Sequence, residues 1–188
     1  MSDDVADRNN WLTHDTTVPY ENAWIRVEHS NVTTPGGSAG IYGVVRFAHV
    51  AVGVIPIDAD DHTWLVGQYR YATEQYSWEM PEGGAEPGES VEQTARRELQ
   101  EETGMTARSL TPLFGDVALS NSVTDERAYA FVATELTAGD AMPEDTEALT
   151  LRRLPVDDAI QMVLDGEIND AFSVMAFLRL ALLRERDE

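Results

Sequence analysis

Glu98, Glu101 and Glu102 are the residues of this chain whose type and spacing most plainly suit chemistry. At about 100° per residue of helix they fall on one arc, bordered by the apolar Ala95 and Leu99. Carboxylates held that close repel one another unless positive charge stands among them, and all-oxygen clusters suit hard cations such as Mg²⁺ or Mn²⁺. The stretch carrying them is punctuated as a helix at both ends. Ser90 with Gln93 makes a capping box, and Gly104 stands where a C-cap glycine belongs. Upstream, Gly83 and Gly84 form a glycine loop whose backbone can approach a bound group closely. On the carboxylates alone, a solvated acidic helix face remains the alternative, because charge runs are usually solvated.

The wider spacing narrows that choice. Gly83, Glu89, Arg97-Glu98-Leu99, Glu101-Glu102 and Gly104-Met105 together resemble the Nudix box at each of its defined positions. The family cleaves nucleoside diphosphates linked to another group, and the resemblance implies a Nudix-type α/β/α sandwich with a mixed sheet. It also implies Glu98 and Glu102 as main metal ligands, Glu101 as a further ligand or water-holder, and the backbone carbonyl of Glu82 on the metal. Mg²⁺ is the expected cofactor, with Mn²⁺ the alternative. Arg97 with Glu89 reads as an internal ion pair orienting loop against helix; a phosphate contact by Arg97 is the other role.

Outside the box, Gln68-Tyr69-Arg70 and Trp78-Glu79-Met80-Pro81 look like the approach to the box in ADP-ribose and nucleotide-sugar hydrolases. That similarity puts Arg70 on the substrate's diphosphate or terminal ribose and Glu79 in the same substrate-binding region. A strand-end arginine paired with Glu74 or Glu79 is the structural alternative. Asn121 stands where similar ADP-ribose hydrolases tend to carry proline, and its amide could read a sugar hydroxyl or a base edge. This departure widens the expected substrate to nucleoside diphosphate sugars, ADP-ribose among them. The general base of related enzymes comes from a loop before a late strand, which points here to Glu147, then Glu144, with Glu126 further off.

The elements that must position these residues follow from pattern. Residues 1–10 read as a tail too acidic and polar for a signal peptide. Residues 11–48 read as a small antiparallel β lobe, with strands at Trp24–Val27 and Ile41–Val45 joined by a turn at Pro35-Gly36-Gly37. Residues 49–188 then form the catalytic domain. Val50–Ile57 is apolar enough for a strand buried on both faces. Further strands are expected at 63–71, 77–81, 110–117, 129–135 and 148–154. Two helices close the chain: Pro155 opens the first and Gly166 ends it, and 170–184 carries Phe172, Met175, Ala176, Leu180 and Leu183 at core spacing.

Composition bounds the partners. The 188 residues carry 34 acidic and 13 basic side chains, the latter all arginine, for a formal net charge of −21. Such a surface repels nucleic-acid phosphates and argues against an RNA substrate. It also fits adaptation to high intracellular salt, with genomic base composition as another reason for arginine over lysine. The chain has no cysteine, which fits a cytoplasmic protein, and no apolar run near the roughly 18 residues of a membrane span. The expected protein is a homodimer joined partly through residues 11–48, acting on a small nucleotide sugar. A non-catalytic nucleotide-sugar sensor and a nucleoside triphosphate pyrophosphohydrolase are the competing expectations, the former weakened by a box that keeps every carboxylate.

Overall fold

The computed structural model describes residues 9–139 and 149–187. The chain divides into two compact units, one running to Ala48 and taking in Ser120–Glu126, the other comprising His49–Leu119 and the chain from Arg127 onward.

The first unit is a three-stranded antiparallel sheet of β1 (Leu12–Glu21), β2 (Ile25–Thr33) and β3 (Ala39–Phe47), with β2 central. Strand β1 is not signalled by periodicity, because every one of its residues is exposed and neither face needs an apolar set. Pro19 falls in the register shift between Thr17 and Tyr20 on this edge strand, where a missing N–H costs no ladder bond. Within the same unit Tyr42 donates its hydroxyl to the carbonyl of Ser122, and the N–H of Phe47 donates to Asp125.

The second unit is built around β4 (Ala51–Pro56), which lies parallel to β9 (Arg127–Ala138) and antiparallel to β7 (Glu82–Gly84). With β8 (Met105–Ala118) these make a mixed four-stranded sheet in the order β7-β4-β9-β8. A second, antiparallel sheet has the order β10-β5-β6, from β10 (Thr150–Pro155), β5 (His62–Arg70) and β6 (Gln75–Glu79). Alternation along β4 explains its apolar run. Val52 and Val54 pack with Ala95 and Leu99 of α1 (Val91–Thr103), whereas Ile55 packs in a separate core with α2 (Val156–Leu164) and α3 (Ala171–Asp187). Strand β9 alternates in the same way, with Phe131 and Ala133 toward α1 and Ala128 and Ala130 in the other core. A strand covered by helices on both faces has no solvent side, so apolar residues recur at every position. The α/β/α sandwich with a mixed sheet is therefore the observed architecture.

Two further elements differ from the sequence reading. Gly83 and Gly84 lie in strand β7, paired with Val52 and Ala51, rather than in a loop. Strand β8 starts at Met105, directly after the helix cap, well before Leu110. It tolerates Pro112 because it is an edge strand with a register shift there. Among the described residues no helix is long and apolar enough to cross a membrane.

Candidate active site

Helix α1 is held at both ends by its own sequence. The Ser90 side chain accepts from Gln93 N–H, Gln93 returns the bond to Ser90 N–H, and Gly104 adopts the left-handed conformation at φ 73°. Burying Ala95 and Leu99 against β4 turns the neighbouring arc of the helix toward β7. Glu98 and Glu102 are thereby buried, at 8% and 3% exposure. The Glu82 N–H donates to Glu102 Oε2 at 3.0 Å. Glu98 lies so close to Gly83 that a Cβ there would stand 2.0 Å from its Oε1, so any side chain at this position would displace the Glu98 carboxylate.

Arg97 gathers the carboxylates. Its Nη1 donates to Glu98 Oε1 at 2.7 Å and to Glu101 Oε2 at 2.9 Å, while Nη2 reaches the Gly84 carbonyl at 2.9 Å and Glu89 Oε2 at 3.1 Å. Burial opposes the guanidinium charge, but the hydrogen bonds to Glu89 and Glu101 and the field of Glu98 outweigh it and raise its pKa. Glu89 is held below its ordinary value by the Arg97 hydrogen bonds, helped by the Glu86 N–H and the Thr94 hydroxyl. Arg97 thus makes both contacts at once, bracing Glu89 and drawing Glu98 and Glu101 together.

Beyond β7 the chain has a second charged group. Arg70 Nε donates to both oxygens of Glu79, at 2.9 and 3.1 Å, and its Nη2 also donates to Glu79. Glu79 is only 2% exposed, and the same Nη2 lies 3.6 Å from Glu82 Oε1. The pairing of Arg70 with Glu79 rather than Glu74 follows from strand direction. Arg70, Gln68 and Val66 share a face of β5 and pair with Gln75, Ser77 and Glu79 on β6. Glu82 has a buried Oε2 with no hydrogen-bond partner. Burial pushes its carboxyl well above the usual carboxylate range, the charges of Asp170 and Glu79 add to the shift, and Arg70 opposes it.

The donor set has the chemistry a hard divalent cation requires. Every candidate ligand is an oxygen, Glu98 and Glu102 are buried, and one buried glutamate oxygen is unsatisfied. Among the described residues no three acidic or histidine side chains already form a ready cage, since Arg97 bridges two of the carboxylates and Glu102 accepts from the backbone.

The other sequence candidates fall elsewhere. Asn121, which is exposed, and Glu126 belong to the Ser120–Glu126 segment of the first unit. Glu144 and Glu147 lie outside the described residues. Sequence reasoning passed over Asn169 and Asp170, which line a cavity with Arg70, Glu79 and Glu82. It also passed over Ser173, whose hydroxyl accepts the Met80 N–H. The helix-start pattern Asp170-x-x-Ser173 was the available signal, since Asp170 Oδ2 accepts the Ser173 N–H at 2.7 Å.

Comparison with known proteins agrees with this geometry. The NUDIX domain model matches residues 47–176. An ADP-ribose pyrophosphatase of Bacillus subtilis (strain 168) is 32% identical over 154 residues, covering 81% of this chain and 82% of its own. The ADP compounds hydrolase NudE of Escherichia coli (strain K12) is 34% identical over 135 residues, 72% of this chain and 70% of that protein. A crystal structure of an ADP compounds hydrolase superposes with a TM-score of 0.83 at 26% identity, over 94% of this chain and 95% of the other.

Proposed function

The chain belongs to the Nudix family and is a Nudix hydrolase, and from that premise we propose that it hydrolyses the pyrophosphate bond of a nucleoside diphosphate sugar, ADP-ribose or a related compound. Water adds to one phosphorus, the bond from that phosphorus to the bridging oxygen breaks, and a nucleoside monophosphate and a sugar phosphate leave. The observation that carries this reading is the bridging of Glu98 and Glu101 by Arg97 on the same helix arc as Glu102, which accepts the Glu82 N–H of β7.

Glu98, Glu102, Glu101 and the Glu82 carbonyl would hold Mg²⁺, or Mn²⁺ as the alternative. When bound, the cation supplies positive charge for the phosphate oxygens and lowers the pKa of water. The chain's own residues do the rest. Arg97 and Glu89 fix the helix arc, Gly83 lets Glu98 lie against the backbone, and the proton of the attacking water passes to a carboxylate outside the box, for which Glu147 is the candidate.

The test is a panel of nucleotide sugars, ADP-ribose and nucleoside triphosphates incubated with Mg²⁺, with products identified by mass. A nucleoside monophosphate and a sugar phosphate are expected, and Glu98→Gln or Glu102→Gln should each cost more than the roughly 10–100-fold typical of disturbing a ligand's hydrogen-bond partner. Turnover of triphosphates alone would move the substrate class, and turnover of nothing would favour a ligand sensor.

A further inference from the structure

Two residues, Met80 and Pro81, carry the chain from one sheet of the second unit to the other. Glu79 is the last residue of β6 paired with β5, and Glu82 is the first of β7 paired with β4. Met80 and Pro81 lie in neither strand, so their backbone groups need partners from elsewhere. Pro81 has no N–H to place, and its carbonyl accepts the Val54 N–H at 2.9 Å. The Met80 N–H donates to Ser173 Oγ at 3.0 Å, across 93 residues of sequence. Both Met80 and Ser173 are buried, which shields this bond from solvent.

Both partners are themselves held. The first turn of α3 is fixed by Asp170, whose Oδ2 accepts the Ser173 N–H at 2.7 Å and whose carbonyl accepts the Val174 N–H at 2.9 Å. The Met80 side chain lies over Gly53, where a Cβ would stand 2.2 Å from its Cε and 3.1 Å from the Phe172 ring. Gly53 is also the β4 residue opposite Glu82. One step further on, the Glu82 N–H goes to Glu102. The entry to β7 is therefore gripped by α3 at Met80, by β4 at Pro81 and by α1 at Glu82.

We propose that Ser173 is a positioning residue for the metal site, its hydroxyl fixing the Met80–Glu82 backbone and through it the Glu82 carbonyl. The inference rests on the reading above, in which that carbonyl holds the cation together with the box glutamates. Without the hydroxyl, the Met80 N–H becomes a buried donor with no partner. A shift of Met80 relieves that cost, and it carries Pro81 and Glu82 along because the three are consecutive. Ser173 acts through this backbone and not on the substrate. Its part is that of an outer partner that orients a ligand, the kind whose loss weakens metal binding itself.

The test uses the full chain and Mn²⁺ alone, without substrate. Binding is read from the loss of the free-ion signal in electron paramagnetic resonance, at a temperature where melts show the variants folded. Ser173→Ala should weaken Mn²⁺ binding about 10–100-fold. Ser173→Cys, whose sulfur is a weaker acceptor than a hydroxyl, should fall between the two and carries the test if the alanine variant does not fold. Val163→Ala trims the apolar core shared with Met80 and Phe172 from α2, and should leave Mn²⁺ affinity unchanged however far it lowers the melting temperature. Wild-type affinity in the folded Ser173 variants, whatever their melting temperatures, would overturn the inference. So would an equal weakening by Val163→Ala, which would make the effect one of general loosening. A wild type that takes up no Mn²⁺ would overturn the metal reading and this inference with it. If binding behaves as expected and no nucleotide sugar is cleaved, Ser173 keeps its role and the proposed reaction falls.

Discussion

Proton removal from an attacking water needs a carboxylate that no cation has already neutralised. The box glutamates fail that condition once they ligate a metal, which lowers their basicity. Burial, with the charges of Asp170 and Glu79, pushes the Glu82 carboxyl well above the usual carboxylate range. The base is sought outside the box, where the resemblance to related hydrolases points to Glu147, then Glu144, with Glu126 further off. Glu147→Gln should lower kcat by about 10²–10⁴ with little change in KM, and flatten the acidic limb of the pH–rate profile. Stopped assays of the three glutamine variants decide the order. A wild-type kcat in Glu147→Gln with a loss in Glu144→Gln or Glu126→Gln would transfer the role.

At the level of elements, the strand β7 and the helix α1 work as one piece, and the brace between them is the Glu89–Arg97 ion pair. Arg97 ties Glu89 to the Gly84 carbonyl and to two acids of the helix. The folded-state pKa of Glu89 is depressed by this pairing. Its contribution to stability is therefore fully present above the unfolded value of about 4.3, and is lost as pH falls through the lower folded value. Thermal melts should show wild type more stable than Glu89→Gln near neutrality, with the gap closing below about pH 4. A gap that is constant with pH would mean that packing, not charge, makes the difference. The comparison with the variant cancels the many other carboxylates that titrate in the same range.

For the whole molecule, charge and exposed apolar surface dominate. With a net charge of −21 the folded surface repels itself, and ions screen that repulsion. If salt adaptation shaped the composition, the melting temperature should rise between about 0.1 and 2 M salt; a flat or falling curve would leave base composition as the reason for the missing lysines. The three-stranded sheet makes a second claim at this scale. Trp24 is 69% exposed, Ile41 68% and Leu12 59%, whereas Val32 is its one buried hydrophobic among the described residues. Three strands that bury so little of themselves need a partner surface. We expect a homodimer through residues 11–48, seen as twice the chain mass by light scattering at micromolar concentration. A monomer there, or full activity after deletion of residues 1–45, would refute it.

What the sequence determined by itself was whatever depends on near neighbours. The cap at Ser90, the stop at Gly104, the helix arc of Glu98, Glu101 and Glu102, and the doubly covered strand β4 are all set within a few residues or by one apolar period. The acidic box was legible for the same reason, since its spacing lies along one chain segment. Tertiary structure decided which distant groups meet. Pairing with β4 made Gly83 and Gly84 a strand and pressed Gly83 against Glu98. The β5–β6 register gave Arg70 to Glu79 instead of Glu74. The start of α3 brought Asn169 and Asp170 to Glu82, which lies far from them in sequence. Charge partners and cavity walls depend on burial and on contacts between remote segments, and those come into being only when the sheets and helices close on their shared core.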